Sequence, residues 1–262
     1  MKQKIIFLVL LAFLFSSISF ADDFSDAMLK AKKNLNSAIN KNDEKALVKV
    51  RGEFERILQL KKDMWLVYYY ISCTDYYIAT TYMNNQVKDK IKKYNESAME
   101  MINKSIEINP DFCDSYVMMM NLQFNRWMYE QDKMNDIIAS SDLAAEKAKK
   151  LDADNPRYHL TLGISSYYTP EMFGGGVDNA LTSLNKSYEL FQTRKEKEEY
   201  YPDWGKDMVY GFLALSYIKR DKEGDLVKAK EYLDKGLEAF PESGFLKGYV
   251  QKQYDEKVKD NK

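Results

Sequence analysis

One histidine, two cysteines, five prolines and eleven glycines in 262 residues leave several chemistries short of parts. A hydrolytic triad built on imidazole has a single candidate base, and a metal cage of histidine and cysteine has almost no ligands to draw on. Glycine and proline are too few to supply the tight turns of an all-β fold. Positive charge is not in excess either. Lys and Arg total 39 against 40 Asp and Glu, a net charge of −1, so nothing here is built to hold a phosphate backbone. After the first 21 residues no stretch of 18 apolar residues occurs, which argues against stable membrane insertion of the remainder. What is present is 45% hydrophobic and 30% charged, the balance of a folded chain rather than a disordered one.

The first segment reads as an export signal. Lys2 and Lys4 precede an apolar run from Ile5 to Phe15, and small residues come after it, with Ser19 and Ala21 at the −3 and −1 positions of a cleavage site. The run is short of the roughly 20 residues needed to span a bilayer. Asp22, not Cys, comes after Ala21, which argues against lipid attachment there. The expected organisation is a cleaved signal over residues 1–21 and one helical domain over 22–262, periplasmic or secreted. Cleavage removes two lysines and no acid, taking the net charge from −1 to −3. Cys73 and Cys113 fall in helices whose expected register sets them roughly 15 Å apart along the axis, so two buried free thiols are expected rather than a bridge.

Apolar residues recur at steps of three and four almost everywhere after Asp22. The spacing predicts helices near 24–40, 43–61, 63–82, 87–108, 112–132, 134–151, 156–168, 177–193, 204–220, 225–239 and 242–258. Pro110, Pro156, Pro170, Pro202 and Pro241 fall between them, where helices end or begin. Connections this short favour antiparallel hairpins. Four segments also align on one another, around Ala98–Ile102–Ser105, Ser141–Ala145–Ala148, Ala180–Leu184–Ser187 and Ala229–Leu233–Gly236. Each has a small residue, an apolar one four later and a small one three after that. Small residues let two helices approach, and the larger one fills the hole beside them.

This pattern resembles the tetratricopeptide repeat (TPR). Leu162-Gly163 with His159, the set Tyr210, Leu213, Ala214, Tyr217, and the set Ala229, Leu233, Gly236, Pro241 fall in that family's positions. Tyr or His mostly stands where the family has Trp, and the loops vary in length. The resemblance implies an all-α solenoid of irregular hairpins, here closed by a C-terminal capping helix over 242–258. A second resemblance is narrower. Trp65–Tyr70, Asn155-Pro156-Arg157, Tyr168–Gly176 and Pro202–Gly205 are similar to a set of exported repeat proteins, chiefly from Bacteroidetes, whose activity is unassigned.

Candidate chemistry is thin. The Phe173–Gly176 loop precedes a helix but lacks the Lys-Ser/Thr of a phosphate loop, so it reads as a structural turn with Asp178 capping the helix that starts there. Asp203 is placed to cap the next helix and Trp204 to pin its loop to the array, and the two loops are expected to pack together. His159 is expected to be a packed core imidazole. Glu196, Glu198 and Glu199, interleaved with Arg194, Lys195 and Lys197, read as a solvated run. No catalytic constellation, cofactor site or metal site is predicted.

Aromatic residues carry more information. Tyr, Phe and Trp make up 14% of the chain and concentrate on the first helices of the hairpins. The resemblance implies that these helices line a concave face, with Asn121, Phe124, Asn125, Arg157, Leu160, Ile164, Tyr167, Tyr168 and Lys219 pointing into it. The function expected is an exported, non-enzymatic scaffold that binds a protein or peptide in this groove. The alternative is a periplasmic carrier of a hydrophobic small molecule, of the kind associated with TRAP-type uptake systems.

Overall fold

The computed structural model describes residues 23–260, so the expected signal over residues 1–21 lies outside the described residues. The described chain is all helical. It runs through α1 (23–40), α2 (Glu44–Ile57), α3 (Met64–Thr81), α4 (Lys88–Ile108), α5 (Cys113–Arg126) and α6 (Met134–Leu151). It continues through α7 (Pro156–Tyr168), α8 (Val177–Thr193), α9 (Lys206–Arg220) and α10 (Asp225–Ala239). A π-helical segment, Phe245–Val250, then leads into α11 (Gln251–Asp260). The closest packing joins α3 to α4, α5 to α6, α7 to α8 and α9 to α10, and successive hairpins stack where α5 meets α4 and α7 and where α9 meets α8 and α7. This is an α-solenoid of antiparallel hairpins.

Local sequence explains where these helices begin and stop. Asp43 accepts a hydrogen bond from the Ala46 amide at the head of α2. Asn155 accepts from the Arg157 and Tyr158 amides at the head of α7, where Pro156 sits in the first turn and has no amide to leave unpaired. Helix α5 ends at Arg126, six residues before the helix expected over 112–132 would stop. The chain turns there because the buried Asn95 of α4 donates to the Tyr129 hydroxyl at 2.8 Å and to the Leu122 carbonyl at 3.0 Å. Glu130 ties the turn by accepting from Arg126 and Lys133.

The small–large–small pattern does what its chemistry implies in three of the four segments, whereas in α6 Ala144 rather than Ala145 is buried. A side chain at Gly163 would place Cβ 2.6 Å from Leu184 Cγ and 3.3 Å from the Ala180 carbonyl, so α7 and α8 touch through glycine. Leu184 is fully buried in the gap, a contribution of about 2 kcal/mol. Gly236 meets Tyr210 in the same way between α10 and α9.

The segment between α8 and α9 departs most from expectation. Residues 194–205 cross back to the start of the chain as a strap. Lys32 of α1 donates to the Glu199 and Tyr201 carbonyls at 2.6 and 2.7 Å and pairs with Asp203 at 3.0 Å. The Tyr70 hydroxyl donates to the Tyr200 carbonyl, and the Trp204 indole donates to the Tyr69 hydroxyl. Among the described residues Trp204 packs against all three apolar clusters, so it does pin its loop, as expected. Two other expectations are corrected here. Asp203 serves Lys32 rather than a helix terminus, and Glu196 is no solvated acid, because it accepts from the buried Arg157 at 2.8 Å.

The array also meets itself end to end. A Cβ at Gly244 would lie 2.1 Å from the Asn40 carbonyl, so the end of α1 abuts the start of the last helical segment. Cys73 and Cys113 are both free and buried. Burial pushes the Cys73 thiol well up and the Cys113 thiol up to about 12, so neither is a ready nucleophile.

Candidate functional site

The nine residues placed in the groove by sequence divide sharply. Arg157 is completely buried. Its Nε donates to Asp114 Oδ1 at 2.6 Å, its Nη2 to Asp114 Oδ2 at 3.0 Å and to Glu196 at 2.8 Å. The repeat register does point Arg157 inward, but the strap covers that end of α7 and supplies Glu196. Leu160 is also sealed, beneath Gly205. Asn125 is buried, and Asn121 is half-buried, bridging α5 to Thr161 of α7. Ile164 packs half-buried in the C-terminal cluster. Arg157, Leu160 and Asn125 are thus closed to a ligand, while Asn121 and Ile164 are only partly covered.

Phe124, Tyr167, Tyr168 and Lys219 do come together, and residues that sequence reasoning had not placed in the site join them. The Phe124 ring lies 5.9 Å from Tyr168, Tyr168 lies 5.0 Å from Tyr167, and both tyrosines meet Phe212 of α9, at 5.8 and 6.2 Å. Phe212 meets Phe245 at 5.4 Å, and Phe245 stacks on Tyr249 at 6.0 Å with their planes 16° apart. The result is a ladder of rings from α5 across α7 and α9 to the C-terminal segment. Phe212 is only 6% exposed and forms its floor, while Tyr168 and Tyr249 are 50% and 47% exposed and stand at its sides.

Two local features build the C-terminal end of this ladder. At Gly211 a Cβ would sit 2.3 Å from the Phe245 ring, so only glycine lets that ring lie flat on α9. The Phe245–Val250 segment is π-helical, and Phe245 and Tyr249, four residues apart, stand in register on one side of it. Such segments are rare and are concentrated at functional sites. Phe245 and Tyr249 read from sequence as capping residues, and nothing in the residue pattern announces the π turn.

Chemically the ladder is neutral and weakly polar. Burial raises the Tyr167 phenol to about 12, helped by the nearby hydroxyls of Tyr168 and Tyr249, and burial raises Tyr168 as well. These phenols therefore stay protonated and can donate. Lys219 sits over the Tyr167 ring at 4.4 Å and donates to the Tyr167 carbonyl at 2.6 Å. Among the described residues no group of His, Cys, Asp and Glu is arranged to hold a metal ion.

The remaining candidates take structural places. His159 is half-buried at the edge of α7 and donates from Nε2 to the Ala153 carbonyl at 2.9 Å, a helix-end contact rather than the core position expected. The Phe173–Gly176 loop folds on itself, with the Gly176 amide donating to the Ser166 and Thr169 carbonyls and Asn179 donating to the Gly174 and Gly175 carbonyls. Asp178 makes no capping hydrogen bond but sits in the first turn of α8, where its charge suits the helix dipole, and it also pairs with Arg220 and Lys222 of the next hairpin. The 202–205 loop packs instead on α1, α3 and Leu160, so the two loops have separate partners. A crevice of about 10 Å³ lies between α1, α3 and Pro202–Trp204, room for about one water and no larger ligand.

The fold is that of a TPR-like helical-repeat protein. Solved structures agree on the fold. The HusA haemophore from Porphyromonas gingivalis superposes with a TM-score of 0.65 at 22% identity, over 76% of this chain and 95% of that one. A thermophilic TPR protein from Thermus thermophilus superposes with a TM-score of 0.54 at 15% identity, over 85% of this chain and 98% of that one. No protein-family model matches the sequence, and no curated protein matches it.

Proposed function

We propose that this protein is an exported carrier of a flat, apolar small molecule on the scale of a tetrapyrrole, held by stacking on the aromatic ladder. The observation that carries the reading is the continuous run of rings from Phe124 through Tyr168, Phe212 and Phe245 to Tyr249, flanked by two half-exposed tyrosines. Rings in offset and edge-on contact add about 0.5–1.5 kcal/mol per pair beyond the area they bury, and a planar ligand extends the same series. The similarity to a haemophore supports the size and shape of that ligand. Export rests on the sequence of residues 1–21. Protonated tyrosines and a remote His159 favour recognition by stacking over coordination of an iron atom.

A protein or peptide partner is the second reading, favoured by a different observation. Met172 and Phe173 are 82% and 71% exposed on a loop held rigid by its own hydrogen bonds, so they form a fixed apolar knob. Such a knob suits contact with another protein, including one that delivers or receives the ligand.

The test is a titration of the purified mature chain with haemin and with metal-free protoporphyrin IX, followed by absorbance. Both should bind with similar affinity, and Tyr168→Ala should weaken both at least several-fold. If neither binds, or if Tyr168→Ala leaves binding unchanged, the carrier reading is wrong.

A further inference from the structure

Four polar groups at the ladder are unpartnered or only partly engaged in the fold. The hydroxyls of Tyr167, Tyr168 and Tyr249 lie near enough to influence one another, and among the described residues none of them has a hydrogen-bond partner in the protein. Lys219 is the fourth. It lies seven residues after Phe212, so the two share one face of α9. Its ammonium is fixed over the Tyr167 ring and spends one N–H on the Tyr167 carbonyl, leaving two free.

The cations around it are occupied. Arg220 pairs with Asp178 and Asp225, Lys222 with Asp178, and Lys257 with Asp221. Lys219 alone of this group has no carboxylate among the described residues. A cation held by a carbonyl and an aromatic face at the edge of an apolar surface, with two N–H groups free and no carboxylate partner, can receive an anion there.

We infer that the ligand of the ladder is an amphipathic acid: a planar apolar body with an anionic group, the body stacking on Tyr168 and Phe245 and the acid meeting Lys219. The inference rests on the ladder being a binding site and adds the acidic group to it.

The probes are pyrenebutyrate and its methyl ester, which share a planar body and differ in the charge, with binding read by pyrene fluorescence on the mature chain. The acid should bind about fivefold more tightly than the ester, the gain expected of a partly exposed ion pair. Lys219→Met should erase that preference, and Lys219→Arg should keep it. Tyr168→Ala should weaken acid and ester alike. Equal binding of acid and ester to the unmodified protein overturns the inference and leaves the ladder reading standing. A preference that persists in Lys219→Met overturns the role of Lys219. Binding of neither probe overturns both.

Discussion

Arg157 of α7 and Asp114 of α5 are joined by two hydrogen bonds, Nε to Oδ1 at 2.6 Å and Nη2 to Oδ2 at 3.0 Å, with the arginine wholly sealed from water. Glu196 of the strap completes the cluster, so three separate parts of the chain meet on one guanidinium. Removing the cation leaves two carboxylates with much of their compensation gone. Arg157→Met should therefore destabilise the protein by about 3–5 kcal/mol, read from the urea midpoint. A loss below about 1 kcal/mol would mean that the strap and not the ion pair holds this junction.

The glycine loop makes a second prediction, in which two neighbours act by different routes. Gly175 is restricted by space, since a Cβ there would lie 2.1 Å from the Thr169 carbonyl. Gly174 has φ near +83° with nothing close to it, so only backbone conformation is at stake. Gly175→Val should cost about 2 kcal/mol or more, and Gly174→Ala about 1 kcal/mol. Thermal melts that ranked them the other way would place the constraint in the wrong residue.

The C-terminal segment acts as a cap. Leu246 and Val250 are fully buried, and Phe245 covers Gly211. Burial of these side chains is worth on the order of 2 kcal/mol each. Deleting residues 242–262 should lower the melting temperature and cause self-association, because the α9–α10 hairpin loses its cover. A truncated chain that stays monomeric with unchanged melting would contradict this.

Acid sensitivity has a specific source in the Arg220–Asp225 pair. The Arg220 guanidinium hydrogen-bonds Asp225, the Lys222 amide adds a further bond, and together they bring the carboxyl from its ordinary 3.8 down to about 2. A depressed carboxyl stabilises the fold above its ordinary value, and that stabilisation fades as pH falls from about 3.8 through about 2. Asp225→Asn should consequently destabilise the protein at pH 6 and make little difference near pH 2. Equal losses at both pH values would show that the pair contributes through packing rather than charge.

Much of the fold was legible because helix period, proline position and small-residue spacing all act locally. The end of α5 was not, because it depends on Asn95 reaching Tyr129 from another helix. The site was half legible. Phe124, Tyr167, Tyr168 and Lys219 follow from the repeat register alone. Arg157 and Leu160 obey the same register and are nonetheless buried, because covering them depends on where residues 194–205 cross, which no local pattern encodes. Phe212, Phe245 and Tyr249 enter the ladder through a π turn and a glycine contact that exist only in three dimensions.

The central claim is that the aromatic ladder is the binding surface, and ring currents test it most directly. Adding metal-free protoporphyrin IX to isotope-labelled mature protein should produce its largest chemical-shift changes at Phe124, Tyr168, Phe212, Phe245 and Tyr249, since a stacked macrocycle shifts the nuclei above and below its plane. Little should change on α4, α6 and α10. Bound porphyrin that leaves the ladder resonances in place, or shifts those of the outer helices instead, would contradict the account.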